Sequence, residues 1–378
     1  MTKVNRGGLP RIGMVGGGQL ARMTHQAAIA LGLSLRVLAE TATDGAAKVT
    51  PDVDCGAPDD QAALLRFAKG CDVVTFDHEH VPTAQIRAIE DTGVAVRPGS
   101  SALLFAQDKL AQRRRMVELG IRVPEFAPVA SIEDVAAFGE AHGWPVVLKA
   151  VRGGYDGRGV WVLSEPPTEL PLVPLYVEER VQLVHELAIQ VARRPSGEMR
   201  AWRVVETVQS DGICVETVAP APRLSPALAG EAERLGFEIA EALGVVGVLA
   251  VELFEAPGGL FVNELAMRPH NSGHWTIEGA VTSQFEQHLR AVADWPLGET
   301  TPLAPVTVMV NVLGGETTDL AAGLPAALSA VPEAHVHLYG KEPRPGRKLG
   351  HVTVLGTDVT ETRERARRAA ATIRGEAS

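Results

Sequence analysis

Two glutamates, Glu252 and Glu264, stand at equal distance from Gly258 in the turn sequence Ala256-Pro257-Gly258-Gly259. Residues 245–254 and 260–265 read as strands on either side, so the two carboxylates face each other across a hairpin. Alternation puts Glu252 on the face of Phe254 and Glu264 on the face of Val262. Like charges directly opposite are destabilising. A divalent cation compensates them, and hard Mg²⁺ takes one or two carboxylates together with substrate phosphates. Asn263 adds an oxygen beside the pair. The other reading is a pair of solvated acids on an open sheet face, against which stand the apolar neighbours Val251, Leu253 and Leu265.

Two glycine-rich loops point to phosphate. Lys149 lies near the end of a predicted strand, followed by Gly153-Gly154-Tyr155-Asp156-Gly157-Arg158-Gly159 and a second strand. A hairpin closes with two to five residues. The excess length here, rich in glycine, suits a flap whose backbone N–H groups close over phosphates, although a merely long hairpin has the same composition. No Gly-Lys-Ser/Thr follows, which excludes a Walker A loop. The first loop, Gly16-Gly17-Gly18-Gln19-Leu20-Ala21, follows a strand and opens a helix, and Glu40 closes the next strand. That pattern fits a dinucleotide, another phosphate or substrate, or a structural turn. Residues 176–181 place an exposed acid beside an apolar strand end, able to present a carboxylate and backbone groups to an adenine edge and ribose. Lys341, Arg344, Arg347 and Lys348 form a basic cluster braced by Pro343, Pro345 and Gly346, and Arg268 to His274 is dense in polar donors. A Pro/Gly frame favours an anion pocket over a solvated face.

These groups need positioning elements. Apolar runs at 12–15, 35–39, 73–76 and 94–96 alternate with helical patterns, which predicts a parallel sheet covered by helices. Residues 100–119 read as one long helix. Strands at 146–150 and 160–163 flank the flap. Residues 176–219 alternate as one antiparallel sheet. A helix spans 228–243, and a charged helix closes the chain around 361–374. The Pro-rich stretches at 164–174 and 296–305 are boundary candidates.

With 378 residues the chain exceeds a single core. Its net charge of −10 argues against nucleic-acid binding. Cys55, Cys71 and Cys214 make neither a disulfide framework nor a zinc motif and fit a reducing compartment. No stretch of about 18 uncharged apolar residues exists to cross a membrane. No secretory segment opens the chain, so a cytoplasmic location is expected.

Together these stretches resemble the ATP-grasp superfamily and, within it, the N5-carboxyaminoimidazole ribonucleotide synthetases. The match is carried by Gly16 to Leu20, Asp77-His78-Glu79-His80-Val81, Gly153 to Gly159, Asn263-Glu264-Leu265, His270-Asn271-Ser272-Gly273-His274-Trp275 and Arg344 to Lys348. They follow the family's order over nearly the whole chain. The resemblance implies a mixed α/β (α+β) architecture: an ATP-grasp fold, an N-terminal parallel βαβ domain (1–105) and a small C-terminal β-rich domain (301–378). The ATP-grasp part (106–300) would divide into a flap-bearing subdomain (106–172) and a catalytic one (173–300).

The resemblance further implies ATP, 5-aminoimidazole ribonucleotide (AIR) and bicarbonate as substrates. ATP phosphorylates bicarbonate to carboxyphosphate, and the AIR amine is carboxylated through CO₂ released in the closed site. The positions matching ATP contacts are Lys109, Lys149, Gly154, Tyr155, Asp156, Gly157, Arg158, Gly159, Val160, Glu178, Glu179, Arg180, Val181, Glu186, Gln209, Asn263 and Glu264. Mg²⁺, or Mn²⁺ in its place, falls on Glu252 and Glu264. Gly18, Gln19, Glu79, Tyr155, Asn271, Ser272, Lys341, Arg347 and Lys348 match substrate-binding positions, and Asp156, Arg268, His270, Lys341 and Arg347 match catalytic ones. A homodimer is implied, with no nucleic-acid or membrane partner. Lys109, Gln209, Met267 and Asp77 stand where the family commonly has Arg, His, Pro and Glu. Competing readings are another ATP-grasp ligase, such as a formate-dependent glycinamide ribonucleotide transformylase, a nicotinamide-dependent oxidoreductase using the first loop and Glu40, and a nucleotide-binding regulator without catalysis.

Overall fold

The computed structural model describes residues 8–154, 157–315 and 319–376. The first region runs β1 (Arg11–Val15), α1 (Gln19–Ala30), β2 (Ser34–Ala39), β3 (Val53–Cys55), α2 (Gln61–Ala68), β4 (Val73–Phe76), α3 (Thr83–Glu90) and β5 (Ala95–Val96). Its strands form the expected parallel sheet, in the order β3-β2-β1-β4-β5. β3 escapes sequence reading, because three residues with one apolar side chain give no period. The order reverses at β1, so the loops leaving β1 and β4 meet at the carboxyl edge, where such sheets hold their ligands.

Then come α4 (Ser100–Gln107) and α5 (Lys109–Glu118). The single helix expected over 100–119 is broken at Asp108, whose backbone is extended (φ −125°, ψ 101°) and whose carboxylate accepts the Ala111 N–H at 2.8 Å. A short acidic side chain that can cap the next helix competes with helix continuation, and here it wins.

A four-stranded antiparallel sheet follows, built from β6 (Phe126–Val129), β7 (Val146–Ala150), β8 (Val160–Leu163) and β9 (Leu175–Glu179) in the order β6-β9-β7-β8. Helix α6 (Ile132–His142) covers it, packing Val135 and Phe138 on Val146, Leu148, Leu175 and Val177. Two expectations are corrected here. The Pro-rich stretch 164–174 and the division after 172 fall between β8 and β9, inside one sheet. β9 also leaves the antiparallel run expected over 176–219, because it pairs with β6 and β7.

The remaining strands are β10 (His185–Arg193), β11 (Met199–Ala201), β12 (Val205–Ser210), β13 (Ile213–Ala219), β14 (Gly247–Ala256), β15 (Gly259–Ala266), β16 (Val306–Leu313), β17 (His335–Leu338) and β18 (Lys348–Gly356). They form one sheet in the order β15-β14-β10-β12-β13-β16-β18-β17, with β11 beside β10. The helices are α7 (Pro226–Ala242), α8 (Thr276–Gly279), α9 (Gln284–Val292), α10 (Leu320–Ala330) and α11 (Val359–Arg374). The C-terminal strands therefore extend the large sheet through the β13–β16 pairing. Alternation on β16 explains the layering: Val306, Val308, Val310 and Val312 turn toward Ala366, Ala369, Ala370 and Ile373 of α11. Thr307, Met309 and Asn311 fall on the opposite face.

Candidate active site

One cleft of about 1340 Å³ receives side chains from all three regions. Its walls include Gly18, Gln19 and Glu79 from the parallel sheet, and Lys109, Lys149, Gly154, Gly157, Arg158, Val160, Glu178, Glu179, Arg180 and Val181 from the helix break, small sheet and flap. Glu186, Gln209, Glu252, Asn263, Glu264, Arg268, His270 and Asn271 come from the large sheet and the segment after it, and Lys341, Arg347 and Lys348 from the C-terminal region. Tyr155 and Asp156 lie outside the described residues. Two expected contact residues stand back from the cleft wall. Gly159 does not line the cleft; its carbonyl accepts the Ala150 N–H at 2.8 Å and closes the flap's base. Ser272 is buried behind the wall, bonded to His270 and Gln190.

Glu178 is 1% exposed, while Glu179 beside it is half-buried. Arg113, as buried as Glu178, donates from Nε (3.1 Å) and Nη2 (2.9 Å) to one Glu178 oxygen, and Lys149 Nζ pairs with the other. Burial alone would raise the Glu178 carboxyl; Arg113 and Lys149 outweigh it and hold the group below its usual range. Burial lowers the Lys149 ammonium, with Glu178 opposing. Two cations share one carboxylate, so a net positive charge remains at Lys149 on the cleft wall.

Glu252 and Glu264 do face each other. The turn is the two-residue Pro257-Gly258, and its register would set Glu252 opposite Asn263; a β-bulge adds the residue that brings Glu264 opposite instead. The bulge also corrects the expected faces. Val262 turns with Leu253 into the core, while Asn263 and Glu264 both reach the cleft. The Asn263 carbonyl accepts from Arg113 Nη1 at 2.5 Å, and its side-chain oxygen from Lys149 Nζ at 3.4 Å. Burial, then Glu264, then Glu186 push Glu252 up to about 7. Lys109 Nζ pairs with Glu264, and His270 Nε2 lies 3.4 Å from Glu252. Among the described residues no group of three or more His, Cys, Asp or Glu is placed to hold a metal by itself.

The first glycine loop is filled from within. Asp77, at the end of β4, accepts the Gly18 N–H at 2.7 Å, and a Cβ at Gly16 would lie 1.7 Å from its carboxylate. This buried acid holds the N-terminus of α1, the place a dinucleotide's pyrophosphate needs. A pyrophosphate there would meet a carboxylate and a Gly18 N–H already engaged, which stands against the nicotinamide reading. Across the loop, Arg268 Nε pairs with Glu79 at 2.9 Å, and Lys341 Nζ donates to Gln19 Oε1. Asn271 exchanges amide hydrogen bonds with Asn311 (3.0 and 2.8 Å). Arg347 is half-buried, with Nη1 donating to the Glu342 carbonyl at 3.2 Å.

Three family models match in series: a ribonucleotide synthetase preATP-grasp domain over residues 9–107, an ATP-grasp domain over 114–285 and a phosphoribosylaminoimidazole carboxylase C-terminal domain over 307–365. The N5-carboxyaminoimidazole ribonucleotide synthase of Mycobacterium tuberculosis is 53% identical, covering 96% of this chain and 87% of its own. This chain belongs to the N5-carboxyaminoimidazole ribonucleotide synthase family. The family's Corynebacterium ammoniagenes member is 50% identical over 96% of this chain and 92% of its own. The Aspergillus clavatus carboxyaminoimidazole ribonucleotide synthase complexed with ATP aligns at a TM-score of 0.90 and 32% identity, covering 97% of this chain and 98% of that one. An N5-carboxyaminoimidazole synthase structure from the same organism, with ADP and AIR, aligns at 0.89 and 31% over the same shares.

Membership in the synthase family does not single out every residue the site uses. Arg113 sits in the run Arg113-Arg114-Arg115, which reads as a solvated basic face. The available signal is that Arg113 precedes buried Met116 by three positions and so shares its helix face. Gln190, inside an apolar strand, is a polar residue at an inward position, which is itself the signal.

Proposed function

We propose that the chain carboxylates AIR with bicarbonate at the expense of ATP, giving N5-carboxyaminoimidazole ribonucleotide, ADP and phosphate through carboxyphosphate, a step of purine synthesis. The observation that carries this reading is the single cleft in which a lysine-bearing flap sheet, two facing carboxylates and a basic C-terminal loop converge. ATP lies between the small and large sheets, with Lys149 and the flap on its phosphates and Glu178 to Val181 with Glu186 toward its base and ribose. Glu252 and Glu264 fit Mg²⁺ or Mn²⁺: they are two facing oxygen donors, Glu252 pushed up to about 7 by burial and by the facing Glu264, with phosphate oxygens needed to complete the shell. When bound, that ion offsets the charge of the phosphates.

AIR lies across the cleft, with Gln19 and Glu79 on one side and Lys341, Arg347 and Lys348 on the other. Arg268 and His270 meet bicarbonate between the two substrates. Carboxyphosphate is unstable in water, so the flap's task is to exclude it. Homodimeric assembly and a cytoplasmic site complete the reading; no described helix is long and apolar enough to cross a membrane.

ADP release, measured with AIR and bicarbonate each present or omitted, tests the reaction. Full release is expected only with both. Release driven by formate and glycinamide ribonucleotide, and not by AIR, would replace this reading with the transformylase.

A further inference from the structure

Among the described residues His270 is the one imidazole whose edge reaches the facing glutamates, and the hydrogen bonds behind it decide which nitrogen carries its proton. Its Nδ1 faces Ser272 twice: the Ser272 backbone N–H at 3.4 Å and the hydroxyl at 2.8 Å. A backbone N–H can only donate, so Nδ1 is the bare nitrogen. The Ser272 hydroxyl then donates to it as well, and the Ser272 oxygen accepts from Gln190 Nε2 at 2.7 Å. The opposite tautomer would set an Nδ1 hydrogen against the Ser272 N–H and an Nε2 lone pair against the Glu252 carboxylate.

The backbone that carries the ring is held as well. Gln284 clamps the His270 backbone from both sides, its Oε1 accepting the N–H at 2.8 Å and its Nε2 donating to the carbonyl at 2.7 Å. Gln190, Gln284 and Ser272 are all buried, so no solvent competes for these bonds. With Nδ1 bare, the ring carries a single N–H and is neutral.

We propose that Ser272 and Gln190 are positioning residues that fix His270 as the Nε2–H tautomer. His270 thereby turns an Nε2–H, and not a bare nitrogen, toward the Glu252 carboxylate 3.4 Å away. The effect on turnover rests on the carboxylation reading above; the tautomer does not. A neutral donor behind Glu252 steadies that carboxylate in one orientation, as outer partners steady metal-binding side chains.

Nucleotide-free protein labelled with ¹⁵N-histidine tests the tautomer directly, with His270→Asn identifying the signals. Nε2 is expected protonated and Nδ1 unprotonated from pH 6 to 8. A protonated Nδ1, or a titration of this ring inside that range, overturns the proposal whatever the enzyme's substrate. In the ADP-release assay Ser272→Ala is expected to lower kcat about tenfold, the worth of one buried hydrogen bond. KM for ATP should hold, and Ser272→Thr, which restores the hydroxyl, should recover most of the loss. Ser272→Ala with wild-type kcat overturns the positioning role. Absence of AIR-dependent turnover in the wild type would instead sink the carboxylation reading and leave the tautomer standing.

Discussion

At the scale of single residues, Glu264 carries two opposed contacts, the facing Glu252 and the Lys109 ammonium. Glu264→Gln removes a repulsion and an ion pair together, so the two stability effects largely offset, while the proposed metal loses one of two protein ligands. Turnover is expected to fall at least about a hundredfold, with circular dichroism and melting little changed. Near-normal ADP production by this variant would end the metal assignment. The facing pair was legible because a turn flanked symmetrically by two glutamates states it outright, yet the symmetry works through a bulge that no sequence pattern announced. Arg113 and Asp77 were not legible in their roles. What makes each matter is a partner about sixty residues away, Glu178 for Arg113 and Gly18 for Asp77, and local sequence carries no trace of that pairing.

At the scale of elements, the break between α4 and α5 does more than end a helix. One Asp108 oxygen caps α5 through Ala111, and the other accepts Arg152 Nε and Nη2 at 3.1 and 2.9 Å. The backbone N–H of Lys109 donates to the Val151 carbonyl at 2.9 Å. The break therefore anchors the foot of the flap and sets Lys109 beside Glu264. Sequence reading ran the helix through because residues 100–119 contain neither Gly nor Pro, and an Asp within a helical pattern marks a cap only once its partners are seen. Asp108→Ala is expected to cost about 1 kcal/mol from the lost cap, read as a lowered urea midpoint. The flap should also loosen, so that trypsin cuts faster after Arg158 in the variant than in the wild type. In the wild type, MgATP should slow that cut. Gly157 already approaches the turn between β12 and β13, where an added Cβ would lie 3.1 Å from the Asp211 carbonyl oxygen, so the flap's far side has a surface to close on. Equal cleavage with and without MgATP would remove the closing lid.

At the scale of the whole molecule, the three regions are joined by polar contacts as well as by cores, and two of these can be probed. His288 accepts the Val248 N–H on Nδ1 at 3.1 Å, which leaves its Nε2–H to donate to Thr75 Oγ1 at 2.8 Å, linking β14 and α9 to the parallel sheet. Burial pushes this imidazole down to about 3. As pH falls below the ordinary value of 6.5, the unfolded chain takes up the proton first, so stability is intact above that value and drains away toward 3. At pH 5 the loss is about 2 kcal/mol for such a histidine. His288→Asn should therefore be less stable at pH 7 but lose less on going to pH 5, and parallel losses in urea titrations would rule His288 out as a source of the acid sensitivity. The second contact joins the ends of the chain. Lys341 reaches Gln19, and Lys48 Nζ donates to the Gly340 carbonyl at 2.7 Å, so the basic loop is pinned across the cleft from the parallel sheet. Sequence set both loops on opposite sides of one substrate, and the fold brings them into direct contact although more than three hundred residues separate them. The meeting is what makes the two-sided AIR site possible. With Gly18 committed to Asp77 and Lys48 donating to Gly340, the proposed reading takes the charge that grips a 5′-phosphate from the C-terminal side. Arg347 suits that task, since a guanidinium can hold phosphate with two N–H groups at once. Arg347→Ala should raise the apparent requirement for AIR about ten- to a hundredfold, the loss of one charge-assisted contact. The requirement for ATP should stay nearly unchanged, because Lys149 and the flap sit on another wall. A variant that needs more ATP but binds AIR normally would move the basic loop to the nucleotide and undo this placement of the substrate.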